Sequence, residues 1–130
     1  MVIEDEYAIR RILEHALKKA GFEVVAVENG RLGVEKMREG AFDMLLLDLM
    51  LPQMDGFEVL RVMGEEGISI PKILIITNLS EDEVMGRLTG KVVSGVFIKA
   101  DYDLMEIVDF IIEQLGGKKR SGKRLGHNAR

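Results

Sequence analysis

Cysteine is missing from this 130-residue chain, which excludes disulfides, thiolate metal sites and a cysteine nucleophile. Histidine is scarce: His15 falls on a charged helical face, His127 in the C-terminal stretch, and nothing resembles a zinc site. The start, MVIEDE, places acids where a secretory signal needs a basic end and an apolar run, and no stretch approaches membrane-spanning length. No glycine-rich loop follows the first apolar segment, so the phosphate cradle of nucleotide-binding enzymes is absent. A soluble, cytoplasmic protein of one domain is the expectation, with a single core and no room for an output module.

Acid is missing from the C-terminal stretch. KKRSGKRLGHNAR carries 6 of the 18 basic residues and none of the 22 acidic ones, so the net charge of −4 conceals a body at −10. That stretch follows Gly116 and Gly117 and has no apolar periodicity. Residues 1–116 are therefore read as the folded domain and 117–130 as a basic, disordered tail. A basic tail attracts nucleic acid or an acidic partner, but a solubilising or linker role is the simpler expectation, and neither nucleic acid nor membrane is the expected partner.

What is present is an alternation. Met1–Ile3 reads as a short strand, followed by a helix with Ile9, Ile12, Leu13, Ala16, Leu17 and Ala20 at helical spacing and Gly21 as its stop. FEVVAV reads as a second strand, and Asn29 caps a helix that closes at Gly40. MLLLDL is the apolar run of a central parallel strand, ending at Asp48. Asp55 caps a helix through Phe57, Leu60 and Val62 that stops at Gly67. KILIIT and GVFIK are the fourth and fifth strands, separated by the weak helix SEDEVMGRLTG, and DLMEIVDFIIEQLGG is the last helix. Right-handed crossovers lay these helices on both faces of an α/β, doubly wound, five-stranded parallel sheet of order 2-1-3-4-5, the flavodoxin-like arrangement.

In such a sheet the strands' carboxyl ends share one edge, with a crevice between strands 1 and 3. Glu4, Asp5, Asp48, Thr77 and Lys99 each stand where a strand ends. Carboxylates gathered there repel one another unless a cation offsets them, and the natural cation for an all-oxygen cluster is Mg2+. The cluster reads as a magnesium-dependent place for a phosphoryl group.

EDE after the first strand, DLMLPQMDG after the third, Thr77 after the fourth and Lys99 after the fifth resemble the receiver domain of two-component response regulators, of the CheY-like superfamily. Asp48, Pro52 and Gly56 fall at the family spacing, and the resemblance covers about residues 1–116. It implies that Asp48 takes a phosphoryl group from a histidine kinase or histidine phosphotransfer protein. Asp5 and Asp48 would ligate Mg2+ directly, Glu4 through water and Met50 through its backbone carbonyl, while Lys99 and Thr77 would hold phosphoryl oxygens. The chain would then be a signalling switch acting on a downstream protein rather than an enzyme, with homodimerisation through the fourth helix, fifth strand and fifth helix left open.

Departures accompany the match. Val96 stands three positions before Lys99, where the family usually has an aromatic residue, and the adjacent Phe97 is expected to face the other way. Asn78 follows Thr77 where a small residue is usual, and Ala100 replaces a frequent proline. Each site residue taken singly has an ordinary reading: Asp48 as a loop residue, Thr77 as a β-branched strand residue, Lys99 as a solvated charge, Pro52 as a turn former. Two rival functions stand beside the switch: an interaction module that is never phosphorylated, and the receiver half of a DNA-binding regulator whose output domain is absent.

Overall fold

The computed structural model describes residues 1–88 and 93–116. Among these the elements run β1 (Val2–Ile3), α1 (Tyr7–Lys19), β2 (Ala26–Val27), α2 (Gly30–Glu39), β3 (Met44–Leu47), α3 (Gly56–Glu66), β4 (Lys72–Thr77), α4 (Glu81–Arg87), β5 (Gly95–Ile98) and α5 (Leu104–Leu115). All strand pairs are parallel and the order is β2-β1-β3-β4-β5, as expected. The basic tail and Val92 lie outside the described residues.

Alternation along the strands splits the core in two. Ile3, Leu45, Leu47 and Ile75 point to the face covered by α2, α3 and α4, where Val34, Val59 and Val84 are buried. Val2, Met44, Leu46, Leu74 and Ile76 point to the other face, covered by α1 and α5 through Leu13, Leu17, Ile107 and Ile111. β3 is buried along its whole length, which accounts for its unbroken apolar run; each such side chain contributes about 1.5–3 kcal/mol. Phe97 lies on the α1/α5 side in edge-on contact with Tyr102 and Phe110, while Val96 packs toward the opposite side, so the two face apart as their spacing requires.

The helix punctuation follows the sequence. Asn29, Asp55, Ser80 and Asp103 accept backbone amides at the starts of α2 to α5, the last three in reciprocal capping boxes. Gly67 and Gly116 end α3 and α5 in the left-handed conformation that suits glycine. β3 and β5 each end one position earlier than expected, at Leu47 and Ile98, and three further elements are shorter. β1 begins at Val2, and of FEVVAV only Ala26–Val27 is strand. β2 lies at the sheet edge with β1 as its sole partner, so its ladder cannot outrun two residues. α4 stops at Arg87 after seven residues, consistent with Gly86 in its last turn.

Candidate functional site

The register of β1 against β3 fixes the site. Ile3 pairs with Leu47, and the amide of Asp48 donates to the carbonyl of Ile3 at 3.1 Å, so Glu4 and Asp48 leave their strands side by side. The loop leaving Asp48 then folds tightly under the crevice. A Cβ at Gly56 would lie 2.5 Å from the Asp48 carbonyl oxygen, and one at Gly30 would strike the carbonyl of Met54, so both positions need glycine for close backbone approach. Gln53 and Met54 hold positive φ values of 52° and 106°, a strain of the kind that collects at functional loops. Gln53 is steadied by Arg31, which donates to its Oε1 from Nε and Nη2 at 3.3 and 3.2 Å.

Lys99 is the hub. Its Nζ lies 2.9 Å from Asp48 Oδ2, 3.0 Å from Glu4 Oε1 and 3.2 Å from Glu4 Oε2, with all three side chains largely out of water. The second Asp48 oxygen, Oδ1, accepts the amide of Met50 at 3.0 Å, and Glu4 Oε2 also accepts the amide of Glu6 at 3.0 Å. Burial, and then the charge of Asp48, push the Glu4 carboxyl up to about 7. Burial alone would lower Lys99, but its bonds to Asp48 and then Glu4 outweigh that and hold it above its ordinary value.

Asp5 completes the cluster from outside. It is exposed, yet it offers a carboxylate oxygen such that one oxygen each from Glu4, Asp5 and Asp48 lie within 4.8 Å of one another. That donor set, three carboxylates beside an exposed face, suits a hard oxygen-seeking divalent cation. Thr77 is fully buried at the end of β4, where its hydroxyl oxygen accepts the amide of Leu79 at 3.3 Å. Met50 and Asn78 are exposed at the rim, and so is His15, away from this edge on α1. Sequence reasoning passed over Arg10, whose Nη1 donates to the carbonyl of Glu4 at 3.0 Å and reaches that of Asp5 at 3.4 Å. An arginine in the first turn after an acidic pair was its only signal, since backbone acceptors leave no mark in sequence.

Comparison with known proteins places the chain in a family. The profile of the family described as "Response regulator receiver domain" matches residues 1–111. The chain is 31% identical over 110 residues to the transcriptional regulatory protein TrcR of Mycobacterium tuberculosis, covering 83% of this chain and 41% of that protein. It is 38% identical over 80 residues to the response regulator receiver protein CpdR of Brucella abortus, covering 62% of this chain and 66% of that protein. A solved LuxR-family DNA-binding response regulator from Staphylococcus aureus superposes with a TM-score of 0.73 at 25% identity, over 86% of this chain and 94% of that one. The chain spans less than half the length of the curated transcriptional regulators it matches first. Among the described residues no helix is long and apolar enough to cross a membrane.

Proposed function

This chain belongs to the response regulator receiver domain family of two-component signalling, and we propose that it accepts a phosphoryl group on Asp48 and switches its protein contacts in response. The observation that carries the proposal is the Asp48 carboxylate, 4% exposed, gripped by Lys99 at 2.9 Å and flanked by Glu4 and Asp5. On sequence grounds the receiver domain is taken to span residues 1–116, followed by the basic stretch 117–130.

A carboxylate is a weak nucleophile toward an anionic phosphoryl group, so alignment and charge neutralisation must do the catalysis. One Asp48 oxygen attacks phosphorus of a phosphohistidine on a kinase or phosphotransfer protein; the P–O bond forms as the P–N bond breaks, and its electron pair stays on the imidazole. Asp5 and Asp48 directly, Glu4 through water and the Met50 carbonyl are the groups that would hold Mg2+, which supplies positive charge to the phosphoryl oxygens when bound. Lys99 keeps its Asp48 contact and takes a phosphoryl oxygen; the Thr77 hydroxyl donates to another. Because Thr77 also receives the Leu79 amide, next to the Ser80 cap of α4, a shift of its hydroxyl is felt at the start of that helix. Phosphorylation then biases the populations of the α4–β5–α5 face, toward a downstream protein or a second copy of the chain.

A second reading has one observation behind it: several curated relatives, TrcR among them, are longer proteins named as transcriptional regulators. This domain would then be the receiver half of a DNA-binding regulator, with nucleic acid contacted by another part. Intact mass after incubation with acetyl phosphate tests the main proposal. A magnesium-dependent gain of one phosphoryl group, lost in Asp48→Asn, supports it. No gain in folded protein overturns it and leaves an interaction module that is never phosphorylated.

A further inference from the structure

Helix α1 starts differently from the other four. Its N-cap residue, Glu6, makes no side-chain cap hydrogen bond, whereas α2 to α5 each begin with one. Yet the turn that enters α1, Glu4–Glu6, carries two of the three clustered carboxylates. Two devices hold it. Glu4 Oε2 accepts the Glu6 amide from inside, and from outside Arg10 reaches back over six residues to the carbonyls of Glu4 and Asp5. Arg10 is itself steadied by the ring of Tyr7, its guanidinium carbon 5.5 Å from the centroid. Tyr7 is held from its other end, since Arg11 donates to the Tyr7 hydroxyl at 3.1 Å.

We propose that Arg10 is a positioning residue for the cation site: by fixing the Glu4 and Asp5 carbonyls it orients the peptide from which the Asp5 carboxylate projects. The inference rests on the metal reading above. A peptide unit is planar, so a carbonyl held in place fixes the direction of the whole unit. Asp5 is exposed and lacks the packing that immobilises Glu4 and Asp48. Without the tether, its ordering is left to the moment of cation binding and weakens that binding. The guanidinium also acts in the opposite sense, as a positive charge near a cation site. Arg11 separates the two effects, because it brings the same charge to the same helical turn and the same ring, 5.8 Å from the centroid, while its hydrogen bond goes to Tyr7.

The test is calorimetric titration of MgCl2 into the full 130-residue chain, with amide hydrogen exchange measured on the metal-free protein. Removing groups that orient metal ligands costs typically 10–100-fold in affinity; this tether acts on backbone and not on ligand atoms, so Arg10→Gln is expected to weaken Mg2+ binding about 5–10-fold. Arg11→Gln should stay within about twofold, and Arg10→Lys, with the charge but a flexible stem in place of the planar guanidinium, should recover only part of the loss. In the metal-free chain the Glu6 amide, bonded to Glu4 Oε2, should exchange faster in Arg10→Gln but not in Arg11→Gln. Mg2+ binding by Arg10→Gln that is as tight as wild type or tighter, or unchanged exchange at that amide, overturns the proposal. Absence of Mg2+ binding by the wild-type chain would instead overturn the metal reading, and this inference with it.

Discussion

Two halves of one sheet edge use the same residue types under opposite conditions. On the inner half, Glu4 and Asp48 are buried and the partly buried Lys99 is bonded to both. On the outer half, Asp5 and Met50 stand in water beside them. The inner half sets two carboxylates against one ammonium out of water, and burial first, then the charge of Asp48, raise the affinity of Glu4 for a proton. The outer half adds a further carboxylate where solvent screens it and where a cation can enter. Burial thus makes the inner groups responsive, and exposure makes the outer one accessible. A phosphoryl-accepting site needs both, because a reactive carboxylate wholly in water would lose its alignment and one wholly buried could not meet a donor.

Breaking the inner half should have the largest effect on folding. Lys99→Met keeps the apolar stem but leaves Glu4 and Asp48 without their shared cation, and loss of one partner from a buried ionic cluster costs about 3 kcal/mol or more. Urea unfolding at pH 8 without magnesium should show that loss at unchanged slope. The loss should shrink at pH 6, where Glu4 takes up a proton, and on adding magnesium salt. A loss independent of both pH and magnesium would mean that Lys99 acts by packing and that the inner half is no charge cluster.

Removing the opposite charge should have a smaller effect of opposite sign. Asp48→Asn relieves repulsion on Glu4 and should stabilise the metal-free chain by about 1 kcal/mol at pH 8, while the proposed function requires that it abolish phosphoryl uptake. The wild type supplies the pH signature. The folded-state value of Glu4 is raised from 4.5 to about 7, so between those values the folded state binds more protons than the unfolded one. The Glu4 contribution is therefore full below pH 4.5 and is lost as pH climbs to about 7, so stability falls across that window. In Asp48→Asn the window should narrow, because one cause of the shift is gone. Unfolding curves from pH 5 to pH 8 measure both, and an equal slope in the two proteins would show that burial alone sets the Glu4 value.

How far these halves could be read from sequence differs as well. The inner residues were legible because each ends an apolar run, and parallel strands bring such ends together whatever their separation along the chain. The helix caps at Asn29 and Asp55 were legible for a similar local reason, each placed just before a periodic segment. Strand lengths were not. FEVVAV has the composition of a six-residue strand, but its ladder is set by the two residues that β1 offers it. Nor were the positive φ values at Gln53 and Met54 visible, since neither is glycine and the loop is held by contacts with α2. The raised carboxyl of Glu4 depends on which of two adjacent acids turns inward, and neighbouring residues of one type carry no mark that tells them apart.

That last ambiguity gives the mildest and most selective variant. Glu4 is 2% exposed and bonded on both oxygens, whereas Asp5 faces solvent. Asp5→Asn should therefore change folding stability by less than about 0.5 kcal/mol, as exposed substitutions do. On cation binding it should act strongly. Loss of a charged oxygen ligand should weaken Mg2+ roughly tenfold, on the order of 1.4 kcal/mol. Thermal unfolding and Mg2+ titration on the same sample separate the two effects. A variant with normal stability and weak Mg2+ binding would assign the outer half to cation capture and the inner half to holding the reactive carboxylate. If Asp5→Asn instead bound Mg2+ normally, the exposed acid would be a bystander, and the cation would have to be taken by the inner carboxylates in competition with Lys99.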